Sequence, residues 1–508
     1  MERKNYTVAV DLGCSSVVVA VGERTPEGLL DIVSVVSKPV EGVRAGRIEN
    51  IEQVSNAIRQ AVSETEEKLN IRITEAYAGI SGEFVRCARH TDHVFVYDPQ
   101  NGVNQKDVDA LFDRMRNVQA PDDETIMERV PQNYVVDDDQ EVRNPVGSFG
   151  KKLSSTFNFI LCQKTPMQRL DMALKRLGIR LVGVVSDAMA TPEAVLLPDE
   201  KEEGIAVVDI GAGVTDVTVY YRNVIRYIAS IPMGASAINR DIRTMSVPEK
   251  LVESLKLKYG SAVAELAPED KLVRVNGRTP REAKDILLRN LATVIEARAT
   301  DIVEFVQQEI KDSGFAEKLA YGIVLTGGCA KLKHLDELFR RVTGMDVRVA
   351  LPEMGITDAS KAKVADPALS TAVGILLHGA ELGGCTVIER PAAPQPAAAP
   401  TASTGTSGNS AAAPTPAPGL RRSYTPTPPA PESFRHVPPR QQPQPTPSTA
   451  TPLQPQPESE LENDAPEHDE QPVQQPAEPR RRRDLSSFLH KTLETINKKF
   501  SAAEDEEI

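Results

Sequence analysis

Short runs of β-branched and aliphatic residues open the chain and then recur. Residues 6–10 (YTVAV), 17–23 (VVVAVGE) and 29–36 (LLDIVSVV) are separated by Gly, Ser and Pro turns, the pattern of a three-strand meander. Residues 51–69 change period: Ile51, Val54, Ile58, Val62 and Leu69 share one face of a helix. A second meander follows at 205–210 (IAVVDI), 214–221 (VTDVTVYY) and 224–231 (VIRYIASI), again leading into helical spacing. Residues 279–311 predict a long helix, with Ile286, Leu287, Leu291, Val294, Ile295, Ile302, Phe305, Val306 and Ile310 at three- and four-residue intervals. Between the meanders, residues 85–165 mix strand-like runs with polar loops (Pro121–Glu124, Asp137–Asp139) and predict an inserted subdomain.

The meanders share a punctuation mark. Each first strand ends in Asp-x-Gly, Asp11-Leu12-Gly13 and Asp209-Ile210-Gly211, at an offset of 198 residues. Repetition of the whole strand–turn–strand–strand context predicts two related α/β halves. A strand ending in Asp-x-Gly presents backbone amides to a phosphate, because no side chain holds the ligand away. The aspartate is placed to hold the water shell of a Mg²⁺ on that phosphate. One such turn alone is ordinarily a hairpin; two at matched positions favour a nucleotide clamped between Asp11 and Asp209. A third element, Ile323 to Ala330, is an apolar strand ending in Gly327-Gly328, with helical spacing from Lys331 to Val342. Glycines there let a base and its ribose lie against the backbone at a helix start.

These motifs, in this order, resemble the actin-like ATPase superfamily, and within it the FtsA family of bacterial cell-division proteins. Val43-Arg44-Ala45-Gly46 and Ala78-Gly79-Ile80-Ser81-Gly82 look like that family's N-terminal segments. Val130 to Asp137, followed by Asn144-Pro145-Val146-Gly147, resembles its inserted subdomain. Ile231-Pro232-Met233-Gly234 through Asp241, then Glu253 and Lys256 before Gly260, resembles the stretch that contacts the ribose, and Asp366 to Gly374 the closing helix.

The resemblance implies an actin-like/Hsp70-like α/β fold with two related halves around a nucleotide cleft. It implies ATP and Mg²⁺ held by Asp11, Gly13, Ser15, Ser16, Asp209, Gly211, Gly213, Thr215, Glu253, Lys256, Gly327 and Gly328, the metal indirectly through Asp11 and Asp209. The family's partners would be further copies of the chain, anionic membrane lipids, other division proteins and the C-terminal tail of the tubulin-like protein FtsZ. Arg298 and Asp301 match the helix that receives that tail, and a surface i,i+3 charge pair is the simpler reading of the same two residues. Many relatives carry Lys or Asn where Ser16 stands and Thr where Val214 stands; losing a cation and a hydroxyl predicts ATP binding with weak hydrolysis, Thr215 and Asp216 compensating in part.

The composition then divides the chain. Of 38 prolines, 23 fall between residues 391 and 480, in a stretch without any apolar run. Such a segment buries too little to offset the entropy of ordering. Beyond it, Leu485, Phe488, Leu489, Leu493, Ile496 and Phe500 form one apolar helical stripe behind Arg480, Arg481, Arg482 and Arg483, with Asp484 as N-cap. That is the pattern of a helix lying in an anionic membrane interface. A helix docking on another protein shares the stripe. The linker's reach is roughly 50–57 Å by the flexible-chain estimate.

The expected organisation is therefore residues 1–84 and 166–198 as the first half, 85–165 as the insert and 199–384 as the second half. The second half would hold a small subdomain at about 236–305 and a closing helix at about 367–384. A linker at 385–480, an amphipathic helix at 481–500 and an acidic tail at 501–508 complete the chain. Net charge is −13 and the foldable body is itself acidic, which argues against nucleic acid as a partner. Five cysteines without a CxxC pair read as reduced thiols. No apolar run reaches the roughly 18 residues of a membrane span. The expected protein is peripheral, on the cytoplasmic face of the inner membrane at the division site. A pilus-assembly adaptor of the PilM type and a sugar-kinase-type phosphotransferase remain the alternatives.

Overall fold

The computed structural model describes residues 3–138, 140–276 and 283–389. The expected linker beyond residue 389, the amphipathic segment and the acidic tail lie outside the described residues.

The first meander forms β1 (Arg3–Leu12), β2 (Ser16–Arg24) and β3 (Leu30–Pro39), with a small hairpin of β4 (Val43–Arg44) and β5 (Arg47–Ile48) after it. Tyr6 to Val10 are buried in succession, as in a strand covered on both faces. Helix α1 (Ile51–Leu69) has the predicted bounds: Asn50 caps it by accepting from the Glu52 and Gln53 amides, and Asn70 ends it in the left-handed region at φ 52°. Val54, Ile58 and Val62 face the sheet, which continues through β6 (Ile71–Ile73) and β7 (Glu75–Ile80).

The insert is β8 (Val85–Phe95), α2 (Gln105–Arg116), β9 (Glu124–Val136), β10 (Gln140–Val142) and β11 (Lys152–Gln163), an antiparallel sheet in the order β10-β9-β11-β8. Its own small cores join Val108 and Leu111 to Leu153, and Met115 to Phe157 and Phe159. The chain returns through α3 (Lys164–Lys175), β12 (Arg180–Ser186), α4 (Asp187–Val195) and α5 (Pro198–Glu203).

The second half begins with β13 (Ile205–Ile210), β14 (Thr215–Tyr221) and β15 (Val224–Ile231), followed by α6 (Ala235–Thr244) and α7 (Glu249–Tyr259). A hairpin of β16 (Leu272–Val275) and β17 (Lys284–Leu287) precedes α8 (Leu288–Asp312), and β18 (Ile323–Thr326), α9 (Leu335–Thr343) and β19 (Val347–Val349) complete the sheet. Helices α10 (Asp358–Lys361) and α11 (Ser370–Glu381) lead back to the first half, where β20 (Cys385–Glu389) ends the described chain.

The duplication is visible in topology. The first sheet runs β12-β7-β1-β2-β3 and the second β19-β18-β13-β14-β15. In both, the meander is antiparallel and the added strands are parallel to its first strand. The insert is fixed to the second half by Arg226 of β15, 2% exposed, which donates to Gln132 Oε1 and Asn133 Oδ1 at 3.1 Å each.

Three expectations change. The long helix starts at Leu288, because Ile286 and Leu287 pair with Val273 and Leu272 in a hairpin; an apolar run this short fits both periods. After Gly327-Gly328 comes a tight 3-10 turn over Gly328–Lys331, and α9 starts only at Leu335, behind His334 at φ 61°. The stretch from 385 does not open the linker: Cys385–Glu389 pairs antiparallel with β1 (Tyr6↔Cys385, Arg3↔Ile388) and with β6. Cys385 and Val387 are buried, in a strand that five residues were too few to advertise.

This strand predicts a sharp truncation boundary. Ending the chain after residue 384 should cost at least about 3 kcal/mol in urea unfolding, from two buried side chains and their ladder. Ending it after residue 392 should leave that stability unchanged, and equal stability of the two forms would refute the strand's role.

Candidate functional site

The turns that end β1 and β13 are superimposable in hydrogen bonding. Gly13 N donates to Ser16 O at 3.0 Å, and Gly211 N donates to Val214 O at 2.9 Å, positions again 198 apart. A Cβ on either glycine would approach that same carbonyl at 3.1 or 3.2 Å, so the turns are tight enough to favour glycine. They face each other across one cavity of about 440 Å³. Asp11, Gly13, Ser15 and Ser16 line one side, and Asp209, Gly211 and Gly213 the other. Gly327, Gly328 and Glu253 close a further wall. Gly327 has φ +85°, and a Cβ there would sit 2.2 Å from Asp209 Oδ1, so both backbone and space demand glycine.

Two expected residues do not line this cavity. The Thr215 hydroxyl is fully buried and donates to Met233 O at 2.8 Å, so it does not replace the hydroxyl missing at Val214. Lys256 is 1% exposed, with its ammonium on Glu253 Oε2 at 2.9 Å; it positions Glu253, which Asn239 also holds. Burial pushes the Glu253 carboxyl up, but Lys256 outweighs it and holds the group below its ordinary value.

The structure adds one carboxyl that the linear pattern did not single out, Asp187, and gives Asp216, expected only to compensate for Val214, a place in the carboxylate wall. Asp187, the first residue of α4, and Asp216 of β14 join Asp11 and Asp209 around the cavity. Asp216 accepts from Ser81 of the first half at 2.7 Å and from Ser230 of β15. Asp209 Oδ2 accepts from Thr191 of α4 at 2.9 Å and Thr371 of α11 at 2.8 Å. Asp187 Oδ1 is buried without a hydrogen-bond partner. The one sequence signal for Asp187 was its place after an apolar strand parallel to the Asp-x-Gly strand. Cys14 also lies here, accepting from the Gly46 amide at 3.3 Å.

Crowded, poorly hydrated carboxyls resist ionisation. Desolvation, then the charges of Asp209 and Asp216, raise Asp11 to about 7. Desolvation also raises Asp216 to about 7, against its serine hydrogen bonds, and Asp209 is raised despite its two threonines. Asp187 is pushed well above its ordinary value by burial and the other three carboxyls. Among the described residues no three candidate ligands converge closely enough to hold a metal ion directly.

The expected partner site fares differently. Arg298 and Asp301 are 5% and 7% exposed. Arg298 donates to the partly buried Asp241 Oδ2 at 2.6 Å and to the buried Asp301 Oδ2 at 2.9 Å, which makes a triad between α6 and α8 in place of a surface pair. Burial raises Asp301 to about 6 although Arg298 opposes it.

Comparison with known proteins gives a consistent picture. The family described as "Cell division protein FtsA" matches residues 206–374, and "SHS2 domain inserted in FTSA" matches residues 82–161. The FtsA of Pseudomonas aeruginosa is 32% identical over 375 residues, 73% of this chain and 88% of that protein. The FtsA of Neisseria meningitidis is 31% identical over 387 residues, 75% of this chain and 92% of that protein. Among solved structures, a PilM-PilN type IV pilus biogenesis complex superposes with a TM-score of 0.52 at 13% identity, covering 73% of this chain and 98% of that one. The fold is actin-like, with an SHS2 insertion in its first half.

Two outcomes follow from the charges. Asp11 and Asp216 bind protons more readily folded than unfolded, so the nucleotide-free protein gains stability as pH falls from about 7 toward 4 and loses it as pH rises through 7. Its Tm should be higher at pH 6 than at pH 8, and Asp11→Asn should narrow the gap; a lower Tm at pH 6 contradicts this reading. Arg298→Ala should cost about 3 kcal/mol in denaturant unfolding, because it strands the buried Asp301 carboxylate and unpairs the partly buried Asp241. A variant of wild-type stability would return Arg298 to the surface.

Proposed function

The chain belongs to the FtsA family of cell-division proteins, and from that premise we propose that it binds MgATP between its halves and assembles with further copies at the division site. In this reading it lies on the cytoplasmic face of the inner membrane, holds the FtsZ ring there through its C-terminal amphipathic helix, and recruits later division proteins. The observation that carries nucleotide binding is the pair of matched glycine turns facing one another across a carboxylate-lined cavity.

Backbone amides of the turns at residues 13–16 and 211–214 would receive the phosphates. Asp11 and Asp209 would orient the waters of Mg²⁺, and Glu253, held by Lys256, would accept from the ribose. Mg²⁺, when bound, would supply positive charge beside the aspartates and so favour their ionised forms. Asp187 lines the cleft and its proton affinity is raised, so it is the carboxyl assigned here to orient and deprotonate an attacking water. With Ser16 short and Val214 apolar, and Thr215 committed to Met233, turnover is expected to be slow.

Self-assembly draws support from Phe95, Tyr97 and Phe149 of the insert, which are 72–91% exposed. The tail of FtsZ would meet the small subdomain of the second half on a surface other than the buried Arg298–Asp301 pair. One amphipathic helix binds a bilayer reversibly, whereas several on one assembly bind far more tightly through effective concentration. Assembly and membrane attachment are thereby coupled.

Co-sedimentation with anionic liposomes in the presence of ATP tests the tether. The full chain should pellet and bring FtsZ with it, and a form ending at residue 480 should stay in the supernatant. Equal pelleting of both forms would sink the proposal.

A further inference from the structure

A second cavity, of about 550 Å³, opens on the small subdomain between the end of α7, the loop that follows it and the residues before α9. Its walls include Tyr259, Leu266 and Leu272, large apolar side chains that are 43%, 46% and 62% exposed. Lys258, Lys271 and Lys333 stand around them. Glu265 and Glu269, on the same loop, are already paired, with Arg341 at 3.0 Å and with Arg289, and no carboxylate is among the residues that line the cavity. An apolar floor with a cationic rim fits an acidic segment that carries an aliphatic side chain.

The chain holds such a segment outside the described residues. Glu458, Glu460, Glu462, Asp464, Glu467, Asp469 and Glu470 crowd into thirteen positions around Leu461. They are seven of the nine acids between residues 391 and 479, so the linker's negative charge is concentrated at one point along it. We propose that residues 458–470 dock intramolecularly in this groove, Leu461 on the apolar floor and the carboxylates on Lys258, Lys271 and Lys333.

Covalent geometry permits the contact. About 70 residues separate β20 from Glu458, and at 3.3–3.6 Å per residue they extend to more than ~200 Å. Tethering also makes weak binding sufficient: at an effective concentration in the millimolar range, a millimolar dissociation constant gives half occupancy. Because the pairs are exposed, docking is sensitive to salt.

The consequence for the membrane helix rests on the tether proposed above. With 458–470 docked, only about ten residues join the groove to Arg481, a span of at most ~36 Å, against some 300 Å for the whole linker. Docking therefore converts a long tether into a short one, and release of the segment lengthens it.

The test needs no membrane, so it separates this contact from the tether. The full chain carrying Leu272→p-benzoylphenylalanine is irradiated at about 50 mM and about 500 mM salt, and the adducts are mapped by mass spectrometry. Adducts within 458–470 are expected, confined to single chains in a mixture of isotopically labelled and unlabelled protein. Their yield should fall at least ~5-fold at high salt, and equally when the seven acids become amides or in K258Q/K271Q/K333Q. Adducts to residues 504–508, adducts between copies, salt-independent adducts or none at all would each overturn the proposal.

Discussion

Four aspartates must share one poorly hydrated cleft, and much of the body is arranged around that electrostatic conflict. Asp11 and Asp209 come from matched strand ends, Asp187 from the start of a helix and Asp216 from a neighbouring strand. Like charges this close raise one another's proton affinity. The hydroxyls that relieve two of them come from distant elements: Thr191 and Thr371 hold Asp209, while Ser81 and Ser230 hold Asp216. Since Ser81, Thr191 and Thr371 belong to the first half and its flanking helices, the same hydrogen bonds that steady the carboxylates also tie the halves together. In the proposed MgATP-bound form, a cation and phosphates in the cleft would act on the ties themselves.

The insert is joined to this arrangement through β15. Ser230 on that strand reaches the cleft, and Arg226, four residues earlier, is buried against Gln132 and Asn133 of the insert. Asn158 adds a hydrogen bond to the Arg226 carbonyl at 2.9 Å. Among the described residues the guanidinium's acceptors are neutral, and burial lowers its proton affinity. A buried cation held by neutral acceptors makes a specific interface with less stability than an apolar one of equal area. The link is thus directional and polar, in contrast to the packed aliphatic cores within each half.

The strands, the first helix and the duplicated turns were legible in the chain because each depends on local periodicity and on glycine at a turn. Ten of the twelve residues expected at the nucleotide site line the cavity. Thr215 and Lys256 do not, since a side chain's direction at a strand start or on a half-buried helix is set by what packs against it. The Asp241–Arg298–Asp301 triad shows the same limit: an i,i+3 pair looks like surface until a third charge from another helix covers it.

The sequence by itself determined the repeat, the two Asp-x-Gly turns, the insert and the division between a foldable body and a proline-rich stretch with a basic, apolar-striped end. Those properties live in the order and period of neighbouring residues. Only the tertiary structure decided that Asp187 and Asp216 complete the carboxylate set, that Arg226 clamps the insert, and that Cys385–Glu389 returns to the first sheet. Each of these depends on residues far apart in the chain being brought together and stripped of water, and no local pattern carries that information.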